Sequence, residues 1–479
     1  MKRLFLLALL LSSQFSKAQD HKAADSLVNH LKELYNTNQY TALYNLLSAD
    51  FKQQQSEKQI TSFYTNSLKA PLGNINSIAY LRNSASTFFY TVDFEHTKLQ
   101  LTLEINELNK INGMLWKPID KNNKVHKPID TKLIKTNNPR KTKLELYVDS
   151  LALSYLSDPG NCSLSIGIIN GDKVTTLYYG ETKKGNGQLP NGKTWYEIGS
   201  ISKTFTGIML AHAVNEGKIK LDDDIRKYLP GEYPNLQFEG QPITIKELSN
   251  HSSGIPSLPI NFGTRPGYHE DNPYAGYSRE MIYQFIKGYK PSKASGTTVS
   301  YSNLAVALLG IILEDVYKKP LEELKTQWIT GPLKMKGTRY DLLPAQINRL
   351  TTGYNAEEEK EVHHWDLDQF KAAGGIKSDL EDMLIYTRAN IKESNPDIKL
   401  SHQPTFSGSE IFNCGLNWVI TTQKNNDIRI WHNGETAGYH CYCGFVKGKR
   451  TGIVILNNSN GNVDKMAVDI LNMLPLQIE

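Results

Sequence analysis

Apolar residues in the first quarter of the chain recur with a helical period and then with the two-residue period of strands. Helical spacing runs over residues 24–35 and again over 43–51. Alternation follows over residues 88–94 and 99–105, and Trp116 closes a last strand. Helices followed by a meander of strands predict a small α+β domain with a one-faced sheet.

A larger mixed pattern begins at about residue 141. It predicts two helices and five strands: helices over 144–153 and 466–473, and strands over 164–169, 173–179, 428–432, 439–446 and 451–456. Asn170-Gly171 supplies the turn chemistry of a hairpin between the first two strands. Strands at both ends of this segment, with helices between them, predict one sheet assembled from distant parts of the chain.

The first residues have the pattern of an export signal. Lys2 and Arg3 precede an apolar run over residues 4–11, and Ser16-Lys17-Ala18 places small residues where a signal peptidase cuts. We therefore expect a signal peptide over residues 1–18 and a periplasmic or secreted protein. The alternative is an N-terminal anchor that stays attached, although this apolar run and every later one are too short to span a bilayer.

Length and composition bound the class of protein. With 479 residues the chain exceeds what one hydrophobic core usually supports, so two folded units are expected. An apolar fraction of 39% and a net charge of +5 are ordinary for a globular protein and do not favour a nucleic-acid partner. The lysines between residues 117 and 143 lack interleaved aromatics and are typical of a solvated linker. We predict a small domain over 20–120, a linker over 121–140 and a larger domain over 141–479.

The tetrad Ser200-Ile201-Ser202-Lys203 combines a nucleophile with a base. A serine hydroxyl needs a base within hydrogen-bond reach, and residues three apart on a helix share a face. Gly199 before the serine and the apolar stretch over 205–213 after it indicate that Ser200 opens a buried helix. A helix N-terminus also offers free N–H groups to a developing oxyanion. The tetrad therefore predicts a serine hydrolase, but it is too short to do so alone.

The residues around the tetrad strengthen this prediction. The nucleophile segment of class C β-lactamases and serine DD-peptidases resembles the stretch Glu197-Ile198-Gly199-Ser200-Ile201-Ser202-Lys203-Thr204-Phe205-Thr206-Gly207 of this chain. The second motif of these enzymes resembles Tyr301-Ser302-Asn303. The resemblance implies that the Tyr301 phenol shares proton transfer with Lys203, whose ammonium would favour the phenolate, and that Asn303 orients Lys203 and the substrate carbonyl. The alternative is that Tyr301 and Asn303 only cap an apolar helix over 304–313.

A third motif lies at the end of a predicted strand. His432-Asn433-Gly434 resembles the third motif of the family, with His in the place of the Lys of β-lactamases. The resemblance implies that substrate backbone pairs with this strand edge, where Gly434 leaves room, and that the backbone N–H groups of Ser200 and Glu435 hold the oxyanion. Other segments resemble the family in the family's order: 217–223, 250–256, 332–335 and 373–378.

The resemblance covers residues 141–479 and implies a β-lactamase/transpeptidase-like α/β (α+β) fold, with a mainly antiparallel sheet flanked by helices plus a helical region. The small N-terminal domain resembles NTF2-like or cystatin-like domains, without a sharp motif or a catalytic constellation. We expect it to bind cell-wall material or to mediate dimerisation.

The expected function is hydrolysis of amide or ester carbonyls through an acyl-enzyme, without a metal or another cofactor. The first expectation is a D-alanyl-D-alanine carboxypeptidase type of DD-peptidase acting on small molecules or peptides, such as peptidoglycan stem peptides. The alternatives are an esterase or D-amino-acid amidase, a class C-type β-lactamase, or a penicillin-binding sensor without turnover. His432 lowers the expectation of β-lactamase action, because histidine is not a permanent cation. The oligomeric state is not predicted.

Three further features bear on the site. The loop over residues 259–277 is expected to shape the cleft, and His363 and His364 to lie on a surface loop near it rather than to bind a metal. Alternation places Cys441 and Cys443 on one strand face, where Cys414 on a neighbouring strand could form a disulfide with either. The alternative for these cysteines, and for Cys162, is that they are buried free thiols.

Overall fold

The computed structural model describes residues 21–48, 51–52, 55–84, 87–106, 108–118, 128–409, 412–423 and 425–474. The expected signal peptide over residues 1–18 lies outside these residues. Within the part of the chain that is described, no helix is both long and apolar enough to cross a membrane. The chain divides into two compact units, residues 1–126 and 127–479.

The first unit combines short helices with one antiparallel sheet. Its helices are α1 (His21–Asn36), α2 (Tyr40–Tyr44), α3 (Glu57–Ser62) and α4 (Ala70–Leu72), with a π-helical stretch over Phe63–Lys69. Its strands are β1 (Ile75–Ser84), β2 (Thr87–Phe94), β3 (Lys98–Ile105) and β4 (Ile111–Pro118), paired in that order. The helices cover one face of this sheet through a core that includes Leu31, Tyr64 and Phe88.

Strand β1 was not predicted from the apolar pattern. It pairs with β2 but contains two register shifts, between Ile75 and Ser77 and between Tyr80 and Arg82. Each bulge moves the following side chains to the other face, so the two-residue alternation that marks β2 and β3 does not persist along β1.

The second unit is built from eleven helices and fifteen strands of the described residues. The helices are α5 (Lys143–Leu156), α6 (Ser202–Asn215), α7 (Ile245–Ser249), α8 (Arg279–Gly288), α9 (Asn303–Tyr317), α10 (Leu321–Lys325), α11 (Pro344–Ile347), α12 (Lys371–Gly374), α13 (Leu380–Lys392), α14 (Pro396–Ser401) and α15 (Asp464–Met473). The strands are β5 (Ser163–Asn170), β6 (Lys173–Gly180), β7 (Trp195–Glu197), β8 (Gln237–Phe238), β9 (Gln241–Pro242), β10 (Thr338–Arg339), β11 (Gly353–Asn355), β12 (Lys360–Val362), β13 (Lys377–Asp379), β14 (Phe406–Ser409), β15 (Phe412–Cys414), β16 (Val419–Thr422), β17 (Ile428–Thr436), β18 (Tyr439–Val446) and β19 (Thr451–Asn457).

Eight of these strands form one antiparallel sheet in the order β14-β15-β16-β17-β18-β19-β5-β6. Strand β19 from the C-terminal end pairs with β5, for example through Ile455 opposite Ile166. This pairing confirms the prediction of a sheet assembled from distant parts of the chain. The fold class, a mainly antiparallel sheet flanked by helices with a helical region, is confirmed as well.

Helices cover both faces of the large sheet. On one face α5 and α15 pack through a core that includes Val148, Ile453 and Ile470. On the other face α13 packs closely against the sheet. A Cβ added at Gly167 on β5 would lie only 2.8 Å from a methyl carbon of Leu384 on α13. Beyond α13 on this face, the buried helices α6 and α9 belong to the largest core of the chain.

Residues 128–140, at the start of the second unit, hydrogen-bond with its helices and strands. Ile129 N–H donates a hydrogen bond to the Ser157 carbonyl, and Asn137 N–H donates one to the Tyr178 carbonyl. The linker predicted over 121–140 therefore includes residues that hydrogen-bond with the rest of the second unit.

The prediction that Cys414 neighbours Cys441 and Cys443 is wrong. Cys414 lies on β15 and the other two on β18, with β16 and β17 between them. Strands are spaced about 4.8 Å apart, so this separation is far beyond the reach of a disulfide. All four cysteines are buried free thiols, and burial raises the pKa of each to about 12.

Candidate active site

Ser200 lies in a tight turn that leads into a buried helix. A 3-10 turn spans Gly199–Ile201 and α6 begins at Ser202, so the serine precedes the α-helix rather than opening it. Gly199 has a φ of +48°, a left-handed conformation that a residue with a Cβ adopts only with strain. The neighbours of Ser200 in the turn are buried, whereas Ser200 itself is partly exposed. Its hydroxyl is therefore accessible to a ligand.

Lys203 is a fully buried amine that faces Ser200. Its Nζ lies 2.8 Å from Ser200 Oγ, 2.7 Å from Asn303 Oδ1 and 2.6 Å from the Ala373 carbonyl oxygen. Burial lowers the pKa of Lys203 well below its ordinary value, because the ammonium loses its hydration. A neutral amine has two N–H donors, and two of its neighbours are oxygens that only accept. The remaining lone pair is thereby left for the Ser200 hydroxyl.

The second motif comes from the turn before α9. Ser302 is the N-cap, and its hydroxyl accepts a hydrogen bond from Ala305 N–H. The alternative that Asn303 serves as the cap is therefore wrong: Asn303 is the first residue of the helix, and its side chain binds Lys203.

Tyr301 immediately precedes this N-cap residue. Its ring centroid lies 4.7 Å from Lys203 Nζ. The ring is 42% exposed, yet the surrounding protein desolvates the hydroxyl and raises the pKa of Tyr301. The expected stabilisation of the phenolate is therefore not found. Burial also lowers the pKa of Lys203, which disfavours the ammonium that would stabilise the phenolate.

The third motif lies on β17, which touches the nucleophile turn. A Cβ on Gly434 would lie 1.9 Å from the Ile198 carbonyl oxygen and 2.8 Å from Ser200 N. Conversely, a Cβ on Gly199 would lie 2.6 Å from Glu435 N. Two glycines without side chains thus allow the backbone nitrogens of Ser200 and Glu435 to approach each other.

His432 shares a strand face with Gly434, so its ring lies on the side of the nucleophile turn. The ring centroid is 6.3 Å from that of Tyr301. His432 Nδ1 contacts the carbonyl oxygen of Asn433, which can only accept a hydrogen bond. Burial lowers the pKa of His432 to about 4. The ring is therefore neutral at physiological pH, with its proton on Nδ1.

A buried polar network lies on the opposite face of the same strand. Asn433 Nδ2 donates to Asp464 Oδ2 over 2.6 Å, and Asp464 Oδ1 lies 2.9 Å from His440 Nε2. The Asp464 carboxylate more than offsets the burial of His440, and so it raises the pKa of that histidine. Sequence reasoning did not identify Asp464 or His440. Nothing in the local pattern links a residue on β18 with the first residue of α15.

His251 is a third residue whose position was not predicted. Its ring centroid lies 4.4 Å from that of Tyr301, with the two planes tilted by 37°, and its Nδ1 accepts a hydrogen bond from Ser302 N–H. Burial lowers the pKa of His251 well below its ordinary value. It lies in the segment 250–256 that resembles the family, which was the available signal.

The loop over residues 259–277 folds around a buried arginine. Arg265 donates hydrogen bonds of 2.8 Å to the carbonyl oxygens of Pro273 and Ala275, and its guanidinium lies over the ring of Phe262. The Tyr274 ring from this loop lies 5.1 Å from the Phe370 ring, measured between centroids. The loop thus packs into the core of the second unit.

His364 lies beside the buried carboxylate of Glu197. His364 Nδ1 lies 3.3 Å from Glu197 Oε1 and is 41% exposed. Among the described residues, no group of three or more His, Cys, Asp or Glu side chains could hold a metal ion.

An antiparallel sheet between helices, with a buried lysine one turn from a serine, defines this chain as a serine hydrolase. The chain belongs to the Beta-lactamase family, whose model matches residues 158–477. It is 32% identical over 204 residues to the D-alanyl-D-alanine-carboxypeptidase/endopeptidase AmpH of Escherichia coli strain K12. This match covers 42% of this chain and 51% of AmpH. The match therefore spans about half the length of that relative.

Two other matches span more of the chain. A beta-lactamase of Pseudomonas fluorescens is 26% identical over 355 residues, covering 67% of this chain and 94% of the relative. The crystal structure of a beta-lactamase/D-alanine carboxypeptidase from Yersinia pestis complexed with citrate superposes with a TM-score of 0.58 and 24% identity. It covers 69% of this chain and 95% of that protein, which confirms the fold.

Proposed function

We propose that this enzyme cleaves amide or ester bonds through an acyl-enzyme on Ser200, with Lys203 as the base. The observation that carries the proposal is the set of three contacts at the Lys203 amine. Two carbonyl oxygens accept its N–H groups, and the third contact, at 2.8 Å, is the hydroxyl that must lose a proton. Burial lowers the pKa of Lys203 and so favours the unprotonated amine, whose lone pair can take that proton.

In the proposed first step, Lys203 takes the hydroxyl proton while Ser200 Oγ forms a bond to the substrate carbonyl carbon. The bond from that carbon to the leaving nitrogen or oxygen then breaks. Tyr301, whose raised pKa keeps it a phenol, gives its proton to the leaving atom, and the Lys203 ammonium restores it. Water next attacks the acyl carbon, gives up a proton to the same pair, and Ser200 recovers its hydroxyl.

The proposed oxyanion site consists of the backbone N–H groups of Ser200 and Glu435. The close approach of Gly199 and Gly434 supports this assignment. The loss of one donor of this kind typically costs about 3 kcal/mol of transition-state stabilisation. Asn303 would orient Lys203, and the edge of β17 at His432 and Gly434 would bind the substrate.

For the substrate we propose a peptide that ends in D-alanine, as in peptidoglycan stem peptides, cleaved by a DD-peptidase of the D-alanyl-D-alanine carboxypeptidase type. The name of the AmpH relative supports this choice. A neutral His432 favours a second candidate, an esterase or D-amino-acid amidase, because this ring brings no positive charge for a substrate carboxylate. A class C-type β-lactamase and a penicillin-binding sensor are the other members of the same mechanistic class.

The test is Ser200→Ala, assayed with a nitrophenyl ester, a D-alanyl-D-alanine peptide and a cephalosporin. We expect loss of all turnover and of covalent labelling by a fluorescent penicillin or ester, because the variant has no nucleophile. Ser407→Ala, on the edge strand β14, is a matched control that should keep wild-type rates. Full ester hydrolysis by the Ser200 variant would refute the mechanism.

We also propose that residues 1–18 direct export to the periplasm or the medium, and that the unit over residues 20–120 is an accessory domain for cell-wall binding or dimerisation. Deletion of residues 20–130 followed by the same ester assay would show whether catalysis depends on that domain. Detection of the mature N-terminus after residue 18 in the exported protein would test the signal.

A further inference from the structure

One carboxylate holds strand β17 from the face opposite the nucleophile turn. Asp464, the first residue of α15, accepts a hydrogen bond of 2.6 Å from Asn433 Nδ2, and its other oxygen lies 2.9 Å from His440 Nε2. His440 on β18 is paired directly with Glu435 on β17, so these two side chains share a face of the sheet. Gly434 therefore lies between two residues that are connected to the same carboxylate, one directly and one through His440.

The contacts of His440 favour a ring that carries two protons. A carboxylate can only accept hydrogen bonds, so the Nε2 atom that faces Asp464 carries a hydrogen. The other nitrogen, Nδ1, lies 3.9 Å from Glu435 Oε2, where a bare lone pair would face a second negative charge. Burial lowers the pKa of His440, but the two carboxylates outweigh burial and raise it above the ordinary value.

The elements packed beside His440 leave these two carboxylates as its charged neighbours. Strand β19, on the other side of β18, consists of Thr, Gly, Asn and aliphatic residues. Tyr442 lies on the same face of β18, and burial raises its pKa, so it stays a neutral phenol. On α15, Lys465 pairs with Asp469 over 2.6 Å, one turn along the helix.

We propose that His440, as an imidazolium, is a positioning residue that fixes the Glu435 N–H in the proposed oxyanion site through its contact with Asp464. The inference rests on the proposed acyl-enzyme function and adds a residue that touches neither the substrate nor Ser200. When His440 loses its proton, its attraction for Glu435 becomes repulsion, and Asp464 keeps a buried charge without a counterion. The strand edge then shifts, and the oxyanion loses part of its stabilisation.

The first test is the pH dependence of kcat for a nitrophenyl ester in the wild type and in His440→Gln. In the wild type we expect kcat to fall by at least about tenfold on the alkaline side, with a midpoint above the ordinary histidine value of about 6.5. The glutamine can still donate to Asp464 but has no charge to lose, so the variant should lack this fall.

The kinetic constants of the variant separate a positioning role from substrate binding. At pH 7 we expect kcat of His440→Gln to be lower than that of the wild type by at least about tenfold, because the oxyanion contact stabilises the transition state. The contact is absent in the ground state, so KM should change by less than about threefold. A folded variant with the wild-type kcat at pH 7 would overturn the inference.

His212→Gln is the matched control, because His212 also lies between two carboxylates but near the C-terminal end of α6. Its Nδ1 is 2.8 Å from Asp397 Oδ2, and its Nε2 is 3.2 Å from Glu216 Oε1. This variant should keep the wild-type kcat and pH profile. An alkaline fall that persists in folded His440→Gln, or that is absent from the wild type up to about pH 10, would contradict the proposed role.

Direct titration of the ring gives a readout that does not depend on activity. In the full chain labelled with 13C-histidine, the NMR signals of His440 are those missing from His440→Gln. We expect the ring to be doubly protonated at pH 6.5 and to titrate with the same midpoint as the alkaline fall of kcat. Asp464→Asn removes one carboxylate and should bring both midpoints to lower pH. A neutral ring at pH 6.5, or two midpoints that differ, would refute the inference.

Failure of the proposed function gives a different result. If an ester acylates Ser200 in the wild type but the His440 measurements are negative, only the positioning role is refuted. If no ester acylates Ser200 in the wild type, the acyl-enzyme function fails and the positioning role fails with it.

Discussion

Gly434→Ala tests the contact between β17 and the nucleophile turn. The added Cβ would lie 1.9 Å from the Ile198 carbonyl oxygen and 2.8 Å from Ser200 N, both backbone atoms that no rotamer change can move. The first distance is about 1 Å shorter than real Cβ contacts, so the strand and the turn must separate by about that amount. Glu435 N–H, the next donor along the strand, would move away from Ser200.

The expected magnitude follows from this displacement. A misplacement of about 1 Å at a reacting centre costs on the order of 100-fold, and the loss of one oxyanion donor costs about 100- to 1,000-fold in kcat. We therefore expect kcat for a nitrophenyl ester to fall by at least about 100-fold. Because Ser200 keeps its lysine, slow covalent labelling should persist.

The control is Gly288→Ala at the end of α8, where a Cβ would meet no atom within 4 Å. Thermal unfolding of both variants separates lost activity from lost structure. If the Gly434 variant is folded and keeps a kcat within threefold of wild type, the proposed oxyanion geometry is refuted.

Two further predictions concern buried charges. Lys203→Arg keeps hydrogen-bond donors but has no basic lone pair at any accessible pH. We therefore expect kcat for ester hydrolysis to fall by about 100- to 10,000-fold. A rate near that of the wild type would exclude Lys203 as the base. Burial raises the pKa of Asp379 to about 7, whereas the same carboxyl has a pKa of about 4 in the unfolded chain. Between these two pH values the folded protein binds one more proton than the unfolded chain. The free energy of unfolding therefore falls as pH rises through that window. Asp379→Asn, which can still cap α13, should therefore raise the unfolding free energy by about 2–4 kcal/mol at pH 8 and by less at pH 5, measured by denaturant titration; an equal gain at both pH values would contradict the assignment.

Local patterns were sufficient for much of the fold. The hairpin at Asn170-Gly171 and strands β17 to β19 follow from alternation and turn chemistry, which depend on residues adjacent in sequence. The disulfide expectation for Cys414 was wrong because alternation fixes the face of a residue, not the order of strands in the sheet. Strand β1 was not predicted because bulges interrupt its period.

For the candidate site too, sequence predicted the residues but not their protonation. Ser200 and Lys203 are three residues apart, so helical geometry alone predicts their contact, and the motifs at Tyr301 and His432 were identified by resemblance. Their protonation was not predictable: Tyr301 was expected to favour its phenolate, whereas its pKa is raised. Protonation depends on how much water and which charges surround a group, and those are properties of the packed structure.

The sequence by itself determined the chemistry that is available: a serine nucleophile, an amine one turn away, and a glycine-containing strand. Only the tertiary structure decided that Lys203 loses its hydration, that burial lowers the pKa of His432, and that Asp464 holds Asn433 from the far side of the sheet. The physical reason is distance along the chain. Covalent neighbours constrain which side chains share a face, whereas burial and charge pairing arise when segments hundreds of residues apart pack together.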